Sequence, residues 1–171
     1  MSHPTPGDLR ILAGEVGGVL VERRETVATA ESCTAGLVSA TLTLVPGSSD
    51  FFWGGTVVYG ADAKIELAGL DPELLEEHGT VSATTTEALA ETIRDRSGAT
   101  YGVAVTGWAG PTAAPGEAVG RVFGAVAGHH GVVSRQWDFD GDRDAVRAAA
   151  VGAVLDLLRQ RLAGSDDGAD D

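Results

Sequence analysis

The chain has 171 residues, of which 25 are acidic and 12 basic, for a net charge of −13. That balance argues against nucleic acid as a direct partner, because phosphate-backbone binding draws on clusters of Lys and Arg. A single cysteine, Cys33, excludes an internal disulfide and a cysteine-rich metal site, and no apolar run reaches membrane-spanning length.

Thr5-Pro6-Gly7-Asp8 is a helix start, with Thr5 as N-cap, Pro6 at the first helical position and Asp8 in the first turn. Leu9, Leu12, Val16, Val19 and Leu20 give that helix one apolar face through about residue 22. Gly14, Gly17 and Gly18 weaken it by about 1 kcal/mol each and suit close packing. A short β-branched strand is predicted over 25–30, then a corner at Ser32, then a helix over 34–44 ended by Pro46-Gly-Ser-Ser49. Phe51 to Tyr59 reads as a second strand, with Gly54 and Gly55 marking a bend or a close approach. Ala61 to Leu67 fits a short helix carrying Lys64, and Asp71-Pro72 begins another that reaches about Glu77.

Thr84-x-x-Glu87 is a capping box before a helix over 85–97, with Ala88, Leu89, Thr92 and Ile93 inward. Thr100 to Thr106 is a third strand, apolar enough to be buried on both sides, followed by a Gly- and Pro-rich loop from Gly107 to Gly120. Arg121–Ala127 and Val132–Phe139 are the fourth and fifth strands, joined through His129-His130-Gly131 as a hairpin. The last helix runs from Asp142 to Leu162 with Val146, Ala150, Val154, Leu158 and Leu162 in one stripe. The alternation predicts an α/β fold, a three-layer α/β/α sandwich on a mixed, mostly parallel five-stranded sheet. Residues 5–163 are expected to form one domain. Met1 to His3 are expected to be loose, and residues 164–171 to be an acidic, disordered tail.

Ser32, Tyr59 with Lys64, and Thr106 all fall at or just after strand ends, where open α/β sheets bind ligands. Ser32 has two readings. It is a helix cap, the commoner use of Ser at such a corner, or a nucleophile whose oxyanion meets the N–H groups of Cys33, Thr34 and Gly36. Eleven of the twelve basic residues are Arg, and Lys64 is the one Lys. Lys can serve as a base when desolvated and Arg cannot, so either chance or chemistry kept Lys64. A Ser–Lys pair is an alternative to Ser–His, and Tyr59 is either an orienting or relaying hydroxyl or an amphipathic rim residue.

The loop at Thr106-Gly107-Trp-Ala109-Gly110-Pro111 offers backbone N–H groups to a phosphate or carboxylate, or is an ordinary loop; it is no Walker loop. Arg143 and Arg147 share one face at the start of the last helix, where they oppose the helix dipole. They serve an anionic ligand or pair with Asp140, Asp142 or Asp144. Cys33 is a packing residue or a rival nucleophile. His78, His129 and His130 have no metal-ligand spacing, so no metal is expected.

Four segments in order are Ala30-Glu-Ser-Cys-Thr-Ala-Gly-Leu37, Gly55-Thr-Val-Val-Tyr-Gly-Ala-Asp-Ala-Lys64, Val105-Thr-Gly-Trp-Ala-Gly-Pro111 and Phe139-Asp-Gly-Asp-Arg143. On these the chain resembles the CinA C-terminal domain family over roughly residues 8–162, in its stand-alone form. The resemblance implies a nicotinamide-nucleotide amidase that converts nicotinamide mononucleotide to nicotinic acid mononucleotide and ammonia. It maps the family's serine, lysine, tyrosine and threonine to Ser32, Lys64, Tyr59 and Thr106. It implies no metal or organic cofactor, a small nucleotide substrate and a homo-oligomer, dimer or higher.

After Gly110-Pro111 the family usually has two glycines, where this chain has Thr112-Ala-Ala-Pro115. Where the family usually has a basic residue shortly before Val-Gly, this chain has Glu117-Ala118. Both changes bear on substrate identity, so an amidase for another carboxamide is the second reading. A non-catalytic nucleotide-binding module is the third, and the intact Ser32, Tyr59, Lys64 and Thr106 set argues against it. The acidic, Lys-poor surface suggests a protein suited to high salt. The N-terminus shows no signal-peptide pattern, so a cytoplasmic location is expected.

Overall fold

The computed structural model describes residues 4–164, so the loose start at 1–3 and the tail at 165–171 lie outside the described residues. Five strands form one sheet in the order β2-β1-β3-β4-β5. They are β1 (Val27–Glu31), β2 (Phe52–Val57), β3 (Tyr101–Gly107), β4 (Arg121–Gly128) and β5 (Gly131–Asp138). β1 lies parallel between β2 and β3, while β4 runs antiparallel to both β3 and β5. Four strands therefore point one way and β4 alone points the other, although only two of the four pairings are parallel.

Alternation along the central strands assigns the two faces. Val27, Val103 and Val105 pack against α1 (Pro6–Arg23), α2 (Leu37–Leu42) and α6 (Arg143–Gly164), through Val16, Leu20, Val38, Leu42, Val154 and Leu158. Ala28, Ala30 and Ala104 face the other way, toward α3 (Ala61–Glu66), α4 (Pro72–His78) and α5 (Ala83–Ser97). The alanine face lets α5 sit close to the sheet. Gly102 marks the tightest point, since a Cβ there would lie 2.0 Å from the Ala90 carbonyl oxygen. Gly102→Ala is expected to cost about 1–3 kcal/mol by overpacking. Urea unfolding should show a lower midpoint at unchanged slope. An unshifted midpoint would mean that α5 yields freely.

Four boundaries differ from expectation. The helix after Ser32 is shorter than 34–44: residues 32–36 form a turn, and only Leu37–Leu42 are helical. β2 ends at Val57, so Tyr59 lies in the connection to α3. The N-cap of α5 is Ser82, whose hydroxyl accepts the Thr85 N–H at 3.1 Å, and not Thr84. Ser82 wins because its extended backbone turns the chain two residues earlier. Glu87, freed from a cap role, accepts from the Ser134 hydroxyl of β5. The last helix starts at Arg143 and runs to Gly164. Among the described residues no helix is long and apolar enough to cross a membrane.

Candidate active site

Strand β1 is buried throughout and ends on an acid, Glu31, which is 1% exposed. Its carboxylate accepts the Gly36, Val38 and Ser39 N–H groups at 2.9, 3.0 and 2.8 Å and the Ser39 hydroxyl at 2.7 Å. The open donors at the start of α2 are thereby satisfied from the preceding strand. The N-cap position is Gly36, without a side-chain cap, so neither Ser32 nor Thr34 caps the helix. The turn between them is tight, with Ala35 at φ 50° and Gly36 at φ 96°. A left-handed alanine is uncommon and is held only where the surroundings demand it.

Ser32, 6% exposed, opens this turn, and its N–H donates to the Val105 carbonyl of β3 at 2.9 Å. Its Oγ lies 3.3 Å from Lys64 Nζ and 3.5 Å from the Tyr59 carbonyl. Lys64 sits on the inward face of α3 and is 1% exposed. Nζ also donates to the carbonyls of Val58 at 2.8 Å and Tyr59 at 3.4 Å. Burial lowers the Lys64 pKa below its ordinary 10.5, and Cys33 opposes this by less. In the amine form, two N–H bonds stay on the carbonyls and the lone pair turns to the Ser32 hydroxyl. That is the geometry of a base facing a nucleophile.

A cavity of about 390 Å³ opens over this pair, within the size range of small-molecule sites. Ser32, Cys33, Tyr59, Lys64, Gly107, Ala109, Gly110 and Arg143 all line it. Thr34, Gly36, Thr106 and Arg147 do not. Tyr59 is 57% exposed, and its hydroxyl accepts from Arg143 Nη2 at 2.7 Å, while its carbonyl serves Lys64. Arg143 Nη1 donates to the Gly110 carbonyl at 2.6 Å. Among the described residues no carboxylate pairs with Arg143, so its charge is uncompensated at the cavity wall. Burial pushes the Cys33 thiol up to about 11, so it is protonated at neutral pH and fits the packing role.

The remaining expected site residues support the site from outside the cavity. Arg147 lies behind the turn: Nε donates to the Cys33 carbonyl at 3.1 Å and Nη2 to the Thr34 carbonyl at 3.0 Å. Nη1 is 3.7 Å from the exposed Asp144, one of the acids weighed as its partner. Thr106 is fully buried, with Oγ1 at 2.7 Å from Thr86 Oγ1. Thr86 donates to the Ser82 carbonyl at 2.6 Å, so Thr106 is the donor between the two hydroxyls and ties β3 to the first turn of α5.

Sequence reasoning missed Glu31 as the clamp, although an acid ending an otherwise apolar strand was a signal. It also missed Thr80 and Val81 as lining, which carry no sequence signal, while Trp108 and Thr112 of the expected loop do line the cavity.

The CinA C-terminal domain family model matches residues 10–162. A CinA-like protein of Synechocystis sp. is 45% identical over 158 residues, covering 90% of this chain and 38% of the relative. One of Myxococcus xanthus is 47% identical over 140 residues, covering 80% and 33%. The chain thus spans between a third and two fifths of the length of these relatives. Among solved structures, a CinA superfamily protein of Klebsiella pneumoniae aligns with a TM-score of 0.88 at 29% identity, covering 91% of this chain and 98% of that one. A competence/damage inducible protein of Agrobacterium tumefaciens aligns at 0.86 with 34% identity, covering 95% and 99%.

Proposed function

The chain belongs to the CinA C-terminal domain family, and from that premise we propose that it is a Ser–Lys amidohydrolase acting on nicotinamide mononucleotide. The observation that carries this reading is the buried Lys64 amine, anchored on two carbonyls and 3.3 Å from the Ser32 hydroxyl on the wall of an open cavity. Ser32 Oγ attacks the carboxamide carbon while Lys64 Nζ takes its proton. The C–N bond breaks as Lys64 returns that proton to the nitrogen, and ammonia leaves. Water, deprotonated by Lys64, then attacks the acyl ester, which releases the carboxylic acid and restores Ser32.

The nucleotide's phosphate requires a cation, and Arg143 is the guanidinium on the cavity wall. A charge-assisted hydrogen bond contributes about 1.5–3 kcal/mol. Arg143→Ala is therefore expected to raise KM for the mononucleotide about 10- to 100-fold and to leave the phosphate-free riboside unaffected. Equal effects on both substrates would remove Arg143 from the phosphate site.

The test of the function itself is ammonia release from nicotinamide mononucleotide by the wild-type chain, assayed at low and high salt. Absence of release from a folded protein sinks the substrate assignment. The Thr112 side of the cavity, where the family pattern changes, favours one second reading, a different carboxamide. Release from another member of an amide panel would identify it.

A further inference from the structure

Among the described residues, four of the six amides from Ser32 to Leu37 have an oxygen acceptor and two do not. Ser32 N–H goes to Val105, Ala35 N–H to the Ser32 carbonyl, Leu37 N–H to the Thr34 carbonyl and Gly36 N–H to Glu31. Among the described residues the Cys33 and Thr34 N–H groups reach no oxygen acceptor. Both would favour a Cys33 thiolate, but burial outweighs them and keeps the thiol protonated. Cys33 lines the cavity, whereas Arg147, which bonds the Cys33 and Thr34 carbonyls, does not. In a trans peptide the carbonyl and the following N–H point in opposite directions. Arg147 pulls the Cys33 carbonyl toward itself, so the Thr34 N–H points away from Arg147.

We propose that Arg147 is a positioning residue for the oxyanion site: by gripping the Cys33 and Thr34 carbonyls it fixes the turn, so that the N–H groups of Cys33, at the cavity wall, and of Thr34, directed away from Arg147, are held for the reacting carbonyl oxygen. This rests on the amidohydrolase reading and extends it. Glu31 holds the other end of the turn by its N–H groups, so the strained Ala35 is fixed from both sides. Donation from a guanidinium into the Cys33 carbonyl also polarises that peptide and strengthens its N–H as a donor. All three nitrogens of Arg147 are turned to carbonyls or to Asp144, so it is not held ready for a substrate phosphate.

The test compares wild type, Arg147→Ala and Arg147→Lys by two readouts. The first is kcat and KM for ammonia release from nicotinamide mononucleotide. The second is the rate at which a fluorophosphonate labels Ser32, followed by intact mass. Its phosphonyl oxygen occupies the oxyanion position, and fluoride leaves as Oγ bonds phosphorus. Arg147→Ala is expected to lower kcat and the labelling rate together, by about 10²- to 10³-fold, the usual effect of losing an oxyanion donor. KM should stay within about threefold.

Arg147→Lys keeps a cation behind the turn but cannot bond two carbonyls as a fork, and should recover little of either rate. If Arg147→Ala does not fold, Arg147→Lys carries the comparison. A raised KM at unchanged kcat, or full recovery by Lys, overturns the proposal. So does a loss of rate that tracks only a lowered melting temperature. Labelled wild type that releases no ammonia ends the substrate assignment and leaves the Arg147 comparison standing on the probe. A folded wild type in which Ser32 is not labelled overturns both.

Discussion

Ser32→Ala is expected to lower ammonia release by about 10⁴-fold or more, the scale seen when a covalent nucleophile is removed, with the fold retained. The Ser32 hydroxyl makes only long contacts, 3.3 Å to Lys64 and 3.5 Å to the Tyr59 carbonyl, so little packing is lost. Lys64→Met should be nearly as damaging, because no other base faces Oγ. The two variants part company in their response to pH. The desolvated Lys64 loses its proton below 10.5, so wild-type kcat/KM should rise with pH through an inflection below that value. Between the folded pKa and 10.5 the unfolded chain binds the extra proton, so wild-type stability should also rise with pH across that window. Lys64→Met should flatten that rise while Ser32→Ala keeps it. A wild-type activity profile without an inflection below 10.5 would exclude Lys64 as the base.

Glu31→Ala is expected to be the most destabilising single change at this end of the sheet, by about 3–5 kcal/mol, the scale for removing one partner from a buried charged network. Three backbone N–H groups and the Ser39 hydroxyl converge on this carboxylate; alanine leaves the three N–H groups without an acceptor in a buried or part-buried place, while the Ser39 hydroxyl keeps Thr29 Oγ1 at 2.8 Å. Against a total stability of about 5–15 kcal/mol that is a large fraction. Glu31→Gln should recover only part of it, since one amide oxygen must serve where two carboxylate oxygens did, and the amide NH₂ would face N–H donors. Urea unfolding measures both variants, and a loss below about 1 kcal/mol for Glu31→Ala would mean that water replaces the carboxylate.

Much of this arrangement was legible because it depends on short-range periodicity. The alternation of Val and Ala in Val27-Ala-Thr-Ala30 and Val103-Ala-Val105 assigns the two sheet faces, and Thr5-Pro6 opens α1 where its residues demand. The strand-end positions of Ser32, Tyr59, Lys64 and Thr106 follow from the same counting. The helix boundary after Ser32 did not, because Ser32-Cys-Thr-Ala-Gly36 has the residues of a helix start but is held as a turn by Glu31. The cap of α5 went to Ser82 for a similar reason: two hydroxyl residues compete for one role, and the path of the incoming chain chooses between them.

By itself the amino-acid order determined which residues could do chemistry here: one lysine, one cysteine, and hydroxyls at strand ends. Only the tertiary structure decided what each does. It buried Lys64 and so lowered its pKa, kept the Cys33 thiol protonated, faced Arg143 into the cavity and set Arg147 on the Cys33 and Thr34 carbonyls, four residues further along the same helix. The physical reason is that a proton's affinity and a donor's choice of acceptor depend on solvent exclusion and on distances of about 3 Å. Neighbours separated by 32 residues, as Ser32 and Lys64 are, come to that distance only when the sheet brings their strands side by side.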